Sequence, residues 1–303
     1  MSASYPPDSA ARGGLDRALG ELRPRLQRYT ARMTGSAVDG EDVVQDAIVK
    51  AIEAFPAAGA IANLEGWIFR ILHTTAIDFL RRRGRLSALS ADDDPDTVAD
   101  PATDVGERQI ALTSLRTFMQ LPPAQRSSVI LMDVLGYSLD EIAAITDLTV
   151  AAVKAALHRG RMRLRDLARR PEDHVQPALG EAECRRLAAY VDRFNARDFD
   201  ALRDLLADDV RLDLVNKIRH DGRNNVSRYF ENYAGQSDWR MAMGFADARP
   251  AILVFDPHRP DAPPAYFIAL EWAGGRISRI RDFRYARDAA VEADLRGADG
   301  AGG

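Results

Sequence analysis

The stretch 41–83 limits the folds open to this chain more than any other, because it writes two helices in succession with very different polar faces. Over 41–55, Val44, Ile48, Ala51, Ile52 and Phe55 recur at helical spacing and make an apolar stripe. Asp42, Gln45 and Asp46 stand at i, i+3 and i+4, so they share an adjoining polar face. Over 64–83, Trp67, Ile68, Ile71, Ile77 and Leu80 supply the apolar side of a second helix. Its polar side carries Arg70, His73, Thr74, Asp78, Arg81, Arg82 and Arg83. From Arg70 to Arg85 five arginines stand against one aspartate, a surplus that suits phosphate contact.

A second constellation follows further on. Ser138 with Glu141 three residues later reads as a capping box, and Thr149 as the cap of the next helix, with the short turn 147–149 between them. Ile142, Ala143, Ile145, Leu148, Val153 and Leu157 are the expected packed interior. Over 149–170 seven basic residues oppose Asp166 alone, leaving +6 on the second helix. In helix-turn-helix proteins that helix enters the major groove. Before it, residues 15–33 place Leu19, Leu22, Leu26 and Tyr29 at helical spacing. The turn 35–40 offers Asp39 as a cap for the helix after it.

Together these residues resemble bacterial extracytoplasmic-function sigma factors. Asp42-x-x-Gln45-Asp46, 66–73 and 76–83 look like sigma region 2. Leu121-Pro-x-x-x-Arg126, Tyr137-Ser-x-x-Glu-Ile-Ala143 and Val153-Lys154-x-x-Leu-His158-Arg159-Gly-Arg161 look like region 4. The resemblance implies that Asp42, Gln45 and Asp46 dock on core RNA polymerase. It implies that Arg70, His73, Thr74, Asp78, Arg81, Arg82 and Arg83 serve the promoter near −10. It assigns Thr149, Ala151, Ala152, Lys154, His158, Arg159, Arg161 and Arg163 to the −35 element. Two departures stand out: Thr74 replaces the family's usual Asn, and Ala155 and Ala156 follow Lys154 where Ser and Arg are common. Alanines cannot hydrogen-bond base edges, so reading falls on their neighbours, partly through thymine methyls. The arginines position the helix on phosphates without specifying sequence.

The remaining chain separates into linkers and a third domain. Seven acidic and no basic residues lie in 91–107 with Pro95 and Pro101, as in a solvated linker. The resemblance would thread that linker through polymerase channels, where acidic side chains imitate nucleic acid. After Pro171 and Pro177 come helical patterns over 181–195, 199–206 and 226–233. Strands are expected at 210–215, 239–245, 251–255, 266–272 and 277–285, the last two joined by Ala273-Gly274-Gly275. Helices first and an antiparallel sheet afterwards resemble a SnoaL-like α+β cone.

The expected chain is therefore multidomain, with two all-α modules and an α+β cone. It has a disordered tail (1–14), sigma region 2 (15–86), an acidic linker (87–107) and a region 4 helix-turn-helix (108–170). A linker (171–180), the SnoaL-like domain (181–290) and a disordered tail (291–303) complete it.

The SnoaL-like class includes cyclases and isomerases, for which Asp213, His220, Asp221 and Asp282 are the candidate proton-transfer groups. No diagnostic catalytic constellation stands out, and the expectation is no enzyme, no cofactor and no metal. Trp239, Phe245, Phe267 and Trp272 either line a pocket for a small apolar ligand or fill the core. The resemblance implies that this domain modulates the sigma modules in cis. The expected partners are core RNA polymerase and promoter DNA. A ligand-sensing helix-turn-helix regulator is the alternative, and a cyclase- or isomerase-type enzyme a further one. No run of 18 apolar residues exists, so no membrane partner is expected. Cys184 is the sole cysteine, in keeping with a reducing cytoplasm.

Overall fold

The computed structural model describes residues 7–84, 114–169, 180–237 and 239–298. The chain divides into two compact units at 173/174. Both expected linkers fall largely outside the described residues.

The first unit is helical. It contains α1 (Pro7–Thr34), α2 (Ala37–Ala54), α3 (Leu64–Arg82), α4 (Leu115–Phe118), α5 (Pro123–Val129), α6 (Leu139–Thr146) and α7 (Val150–Ala168). One continuous apolar core runs from Leu15, Leu26 and Tyr29 through Phe69 and Leu72 to Phe118, Ile130, Ile142 and Val153. The periodicity of each helix thus ends in a single shared interior.

The start of α1 departs from expectation, because the backbone is helical from Pro7 and includes much of the expected 1–14 tail. The cap of α2 also differs. Ser36, rather than Asp39, accepts the hydrogen bond from Asp39 N, which leaves the Asp39 carboxylate to take 2.7 Å from Arg83 Nη1. Gly40 therefore lies inside the helix, where α1 comes close: a Cβ there would stand 2.7 Å from Ala31 N. The caps expected at Ser138 and Thr149 are present, and the one at Asn63 is an addition. Asn63 caps α3, the Ser138–Glu141 capping box opens α6, and Thr149 caps α7.

The second unit is α+β. It contains α8 (Glu181–Asn195), α9 (Phe199–Asp204), α10 (Arg223–Ala234), α11 (Arg287–Glu292) and seven strands. The strands are β1 (Leu206–Leu214), β2 (Ile218–Asp221), β3 (Arg240–Ala246), β4 (Arg249–Phe255), β5 (Tyr266–Ala273), β6 (Arg276–Asp282) and β7 (Leu295–Gly297). They form one sheet in the order β2-β1-β6-β5-β4-β3-β7, with β1 and β6 parallel and the other pairs antiparallel. The β5–β6 hairpin turns on Gly274 and Gly275, both at positive φ, as the glycine pair predicts. Two short strands are additions to the sequence reading. The expected 291–303 tail instead supplies β7, which takes the open edge of β3 through 295–297.

Rings pack around Phe194, with Tyr190, Phe199, Phe230, Tyr233 and Trp239 all within 5.9 Å between centroids. Phe267 stacks instead on Phe283 at 4.2 Å. Their strand positions put that pair on the sheet face opposite to α10. Trp239 and Phe267 therefore do not line one apolar pocket, and they act as core.

The close α1–α2 approach gives a test. Gly40→Ala should destabilise the chain by about 1–3 kcal/mol despite alanine's better helix propensity, because the added methyl meets backbone. Urea unfolding reads this, and unchanged stability would contradict the close packing.

Candidate polymerase and nucleic-acid interface

The outer face of α2 is built on a buried ion pair. Glu41 is 1% exposed and held by Arg23 of α1, and it also accepts from Gln45 Nε2 at 3.1 Å. Gln45 is thereby fixed one turn along the same face as Asp42. Asp46, adjoining them, is exposed on the helix surface. The three expected docking residues do share one side of α2.

The basic face of α3 is less uniform than its sequence. Arg81 and Arg82 are exposed near its C-terminus, where a helix favours positive charge. Arg83 is taken by the buried Asp39 and covers the Phe79 ring at 4.7 Å. Thr74 is exposed, with its hydroxyl donating to Arg70 O at 3.0 Å. Asp78 pairs with Arg81 at 3.6 Å. His73 is partly buried and shares a 2.7 Å hydrogen bond with Tyr29 Oη. Burial lowers its pKa from 6.5 to about 4, so the ring is neutral at neutral pH. His73 thus positions α3 against α1 and carries no charge toward phosphate.

On α7, Ala151 and Lys154 are exposed in the first turns after the Thr149 cap. His158, Arg159 and Arg163 are partly exposed along the helix. Arg161 is held by the buried Asp133, with Nε donating to Oδ2 at 3.0 Å. Gly160 lets α7 approach α5, since a Cβ there would stand 2.8 Å from Val129 Cγ2. The exposed residues of the expected −35 set are therefore concentrated at the N-terminal end of α7, at Thr149, Ala151 and Lys154.

The contacts that join the two halves of this unit carry no assigned role in the sequence reading. Arg126 is 1% exposed. Its guanidinium donates to Met33 O at the end of α1, to Leu121 O at 2.8 Å and to Met119 O at 3.3 Å. Glu65 on α3 pairs with Arg25 and accepts from Tyr137 Oη at 2.6 Å. Burial and that carboxylate push the Tyr137 hydroxyl pKa well up. Arg25 lies over the Tyr137 ring at 4.8 Å, and Tyr137 packs edge-on to Phe69 at 5.1 Å. Nearer the surface, Arg70 pairs with Asp147 in the helix-turn-helix turn at 3.4 Å. Arg126 and Tyr137 stand in the motifs quoted above, but those motifs do not show what either side chain touches, and nothing local distinguishes Glu65.

In the second unit the four candidate proton-transfer residues do not form one site, although Asp213 and Asp221 share a sheet face. Asp282 is fully buried and accepts from Tyr229 at 2.9 Å, Tyr233 at 2.7 Å and Arg284 N at 2.8 Å. Burial raises its pKa against the pull of those donors. Asp213 is on the other face of the sheet, and Asp221 is exposed beside Arg211. His220 pairs in register with Leu212, on the face opposite to Asp213. Among the described residues, no group of three or more His, Cys, Asp or Glu is placed to hold a metal ion.

Comparison with known proteins places these features. A family model described as Sigma-70 region 2 matches residues 19–86, and one described as Sigma-70, region 4 matches residues 115–164. The chain is 30% identical over 307 residues to the ECF RNA polymerase sigma factor SigG of Mycobacterium tuberculosis, covering 91% of this chain and 83% of that one. It is 33% identical over 178 residues to the ECF RNA polymerase sigma factor SigE of Mycolicibacterium smegmatis, covering 56% and 68%. Among solved structures, the extracytoplasmic function sigma factor SigJ of Mycobacterium tuberculosis aligns with 86% of this chain and 93% of its own, at 17% identity and a TM-score of 0.35.

His73 gives a pH test. Between about 6.5 and 4 the folded chain binds fewer protons at His73 than the unfolded chain does. Its contribution to stability is therefore complete above pH 6.5 and is lost as the pH falls toward 4. His73→Gln should flatten that part of the stability–pH curve in urea unfolding. Equal slopes for the two proteins would contradict a buried neutral imidazole.

Proposed function

This chain belongs to the extracytoplasmic-function RNA polymerase sigma factors, and we propose that it reads a −10 and a −35 element through α3 and α7 while α2 holds the polymerase. As a sigma factor it serves transcription initiation, acts with core RNA polymerase and promoter DNA, and is not itself an enzyme. The observation that carries the finer reading is the one α2 face shared by Asp42, Gln45 and Asp46, partly exposed at the first two and open at Asp46, in a unit that also holds a helix-turn-helix whose second helix presents Lys154. A free-standing helix-turn-helix regulator gives that acidic face nothing to do.

Phosphate contact on α3 falls to Arg70, Arg81 and Arg82. Arg83 and His73 support the helix from within. On α7, Ala151, Ala152 and Lys154 meet base edges, and Arg159 and Arg163 meet phosphates. Arg161 holds α7 on Asp133 and sets its angle. The second unit tunes the first in cis, and the place of action is the cytoplasm, where the polymerase works. The aromatic side chains of the second unit serve its core, so an apolar ligand is not part of this reading.

Promoter reading requires the first unit to open. The two elements lie roughly 80 Å apart along a duplex rising about 3.4 Å per base pair. Here Arg70 of α3 touches Asp147 beside α7. The Arg126, Glu65–Tyr137 and Arg70–Asp147 contacts therefore hold a closed form that yields to polymerase and DNA together.

In vitro transcription with core polymerase, on a promoter selected from the source genome, tests the assignment. Asp46→Arg in the full chain should reduce specific transcripts about tenfold or more through like-charge and steric conflict at the docking face. A chain ending at residue 177 gives the sign of the second unit's effect. Full activity in Asp46→Arg would remove α2 from the polymerase contact.

A further inference from the structure

On the sheet face opposite to Asp282, three strands gather arginines around one buried carboxylate. Asp213 of β1 is in register with Arg219 of β2 and with Arg281 of β6. Its side chain is 6% exposed. Asp213 Oδ1 stands 3.6 Å from Arg219 Nε, and Oδ2 stands 3.8 Å from Arg279 Nη2 and 4.0 Å from Arg281 Nε. These are ion-pair separations, too long for hydrogen bonds, and Oδ2 accepts none. Folded proteins rarely leave a buried carboxylate oxygen in that state.

The same carboxylate lines a cleft of about 470 Å³ together with Asp209, Arg211, Arg219, Asp221 and Arg279. Three guanidinium groups and three carboxylates thus face one space, which is formally neutral but strongly divided in charge. A simple anion or a simple cation would meet as much repulsion as attraction there. A small molecule carrying both charges a few ångströms apart would be matched at both ends. The polar walls disfavour an apolar ligand, and the volume lies within the range of small-molecule sites.

We propose that this cleft binds a free α-amino acid. Its ammonium donates to Asp213, which supplies the missing hydrogen bonds, and its carboxylate is held by the guanidinium edges of Arg219 and Arg279. Arg219, 63% exposed on its edge strand, swings aside to admit the ammonium. The site is separate from the tyrosine-lined Asp282 and from every polymerase or DNA contact assigned above.

Isothermal titration of the full chain with each of the twenty amino acids, with acetate and with ethylammonium tests this. At least one amino acid should bind with a Kd below about 1 mM, and acetate and ethylammonium should each bind at least about tenfold more weakly. Asp213→Asn and Arg219→Gln should each weaken the amino acid about tenfold or more. If Asp213→Asn fails to fold, Arg219→Gln carries the test, because that side chain is largely in solvent. The proposal is overturned if no amino acid binds by about 10 mM, if acetate binds as tightly, or if Arg219→Gln binds as well as the parent chain.

Discussion

The buried guanidinium of Arg126 is the interaction on which the arrangement of the first unit depends. It reaches from α5 to the last carbonyls of α1 and of the 119–121 segment, so one side chain ties the region 2 helices to the region 4 helices. A guanidinium at 1% exposure is held there because its two Nη groups donate to backbone oxygens. Removing it strands buried carbonyls in an apolar setting, at about 1–3 kcal/mol for each one left unsatisfied. Glu65 with Tyr137 and Arg70 with Asp147 add two further ties between the same halves, both nearer the surface.

The same economy governs the basic surface. Glu41, Asp39 and Asp133 are buried carboxylates, and each is neutralised by an arginine: Arg23, Arg83 and Arg161 respectively. Counting basic residues along α3 and α7 therefore overstates the charge offered to DNA. What remains largely exposed includes Arg70, Arg81 and Arg82 on α3 and Lys154 on α7. Structural pairing and nucleic-acid contact compete for one residue type, and burial of the carboxylate decides which wins.

Much of this was legible in the sequence, for reasons that are local. Helical spacing gave the apolar faces of α2 and α3, and Ser138 with Glu141 gave the start of α6, because a cap is satisfied by residues three apart. The Ser36 cap is not legible there, since a sequence cannot show that Arg83, 44 positions away, takes Asp39. β7 escaped notice because three residues carry no alternation, and its strand character comes from the open edge of β3. The tie made by Arg126 and the split of Asp213 and Asp282 onto opposite sheet faces are long-range facts. The first needs the packed helices, and the second needs the β1–β6 register.

The central claim is that the first unit is closed as it stands and opens to read two promoter elements. Spin labels at positions 74 and 154 in a Cys184→Ser background, measured by double electron–electron resonance, address it directly. The account predicts a single short separation in the free chain, and a separation larger by tens of ångströms in the complex with core polymerase and promoter DNA. The short separation persisting in a transcribing complex would contradict it.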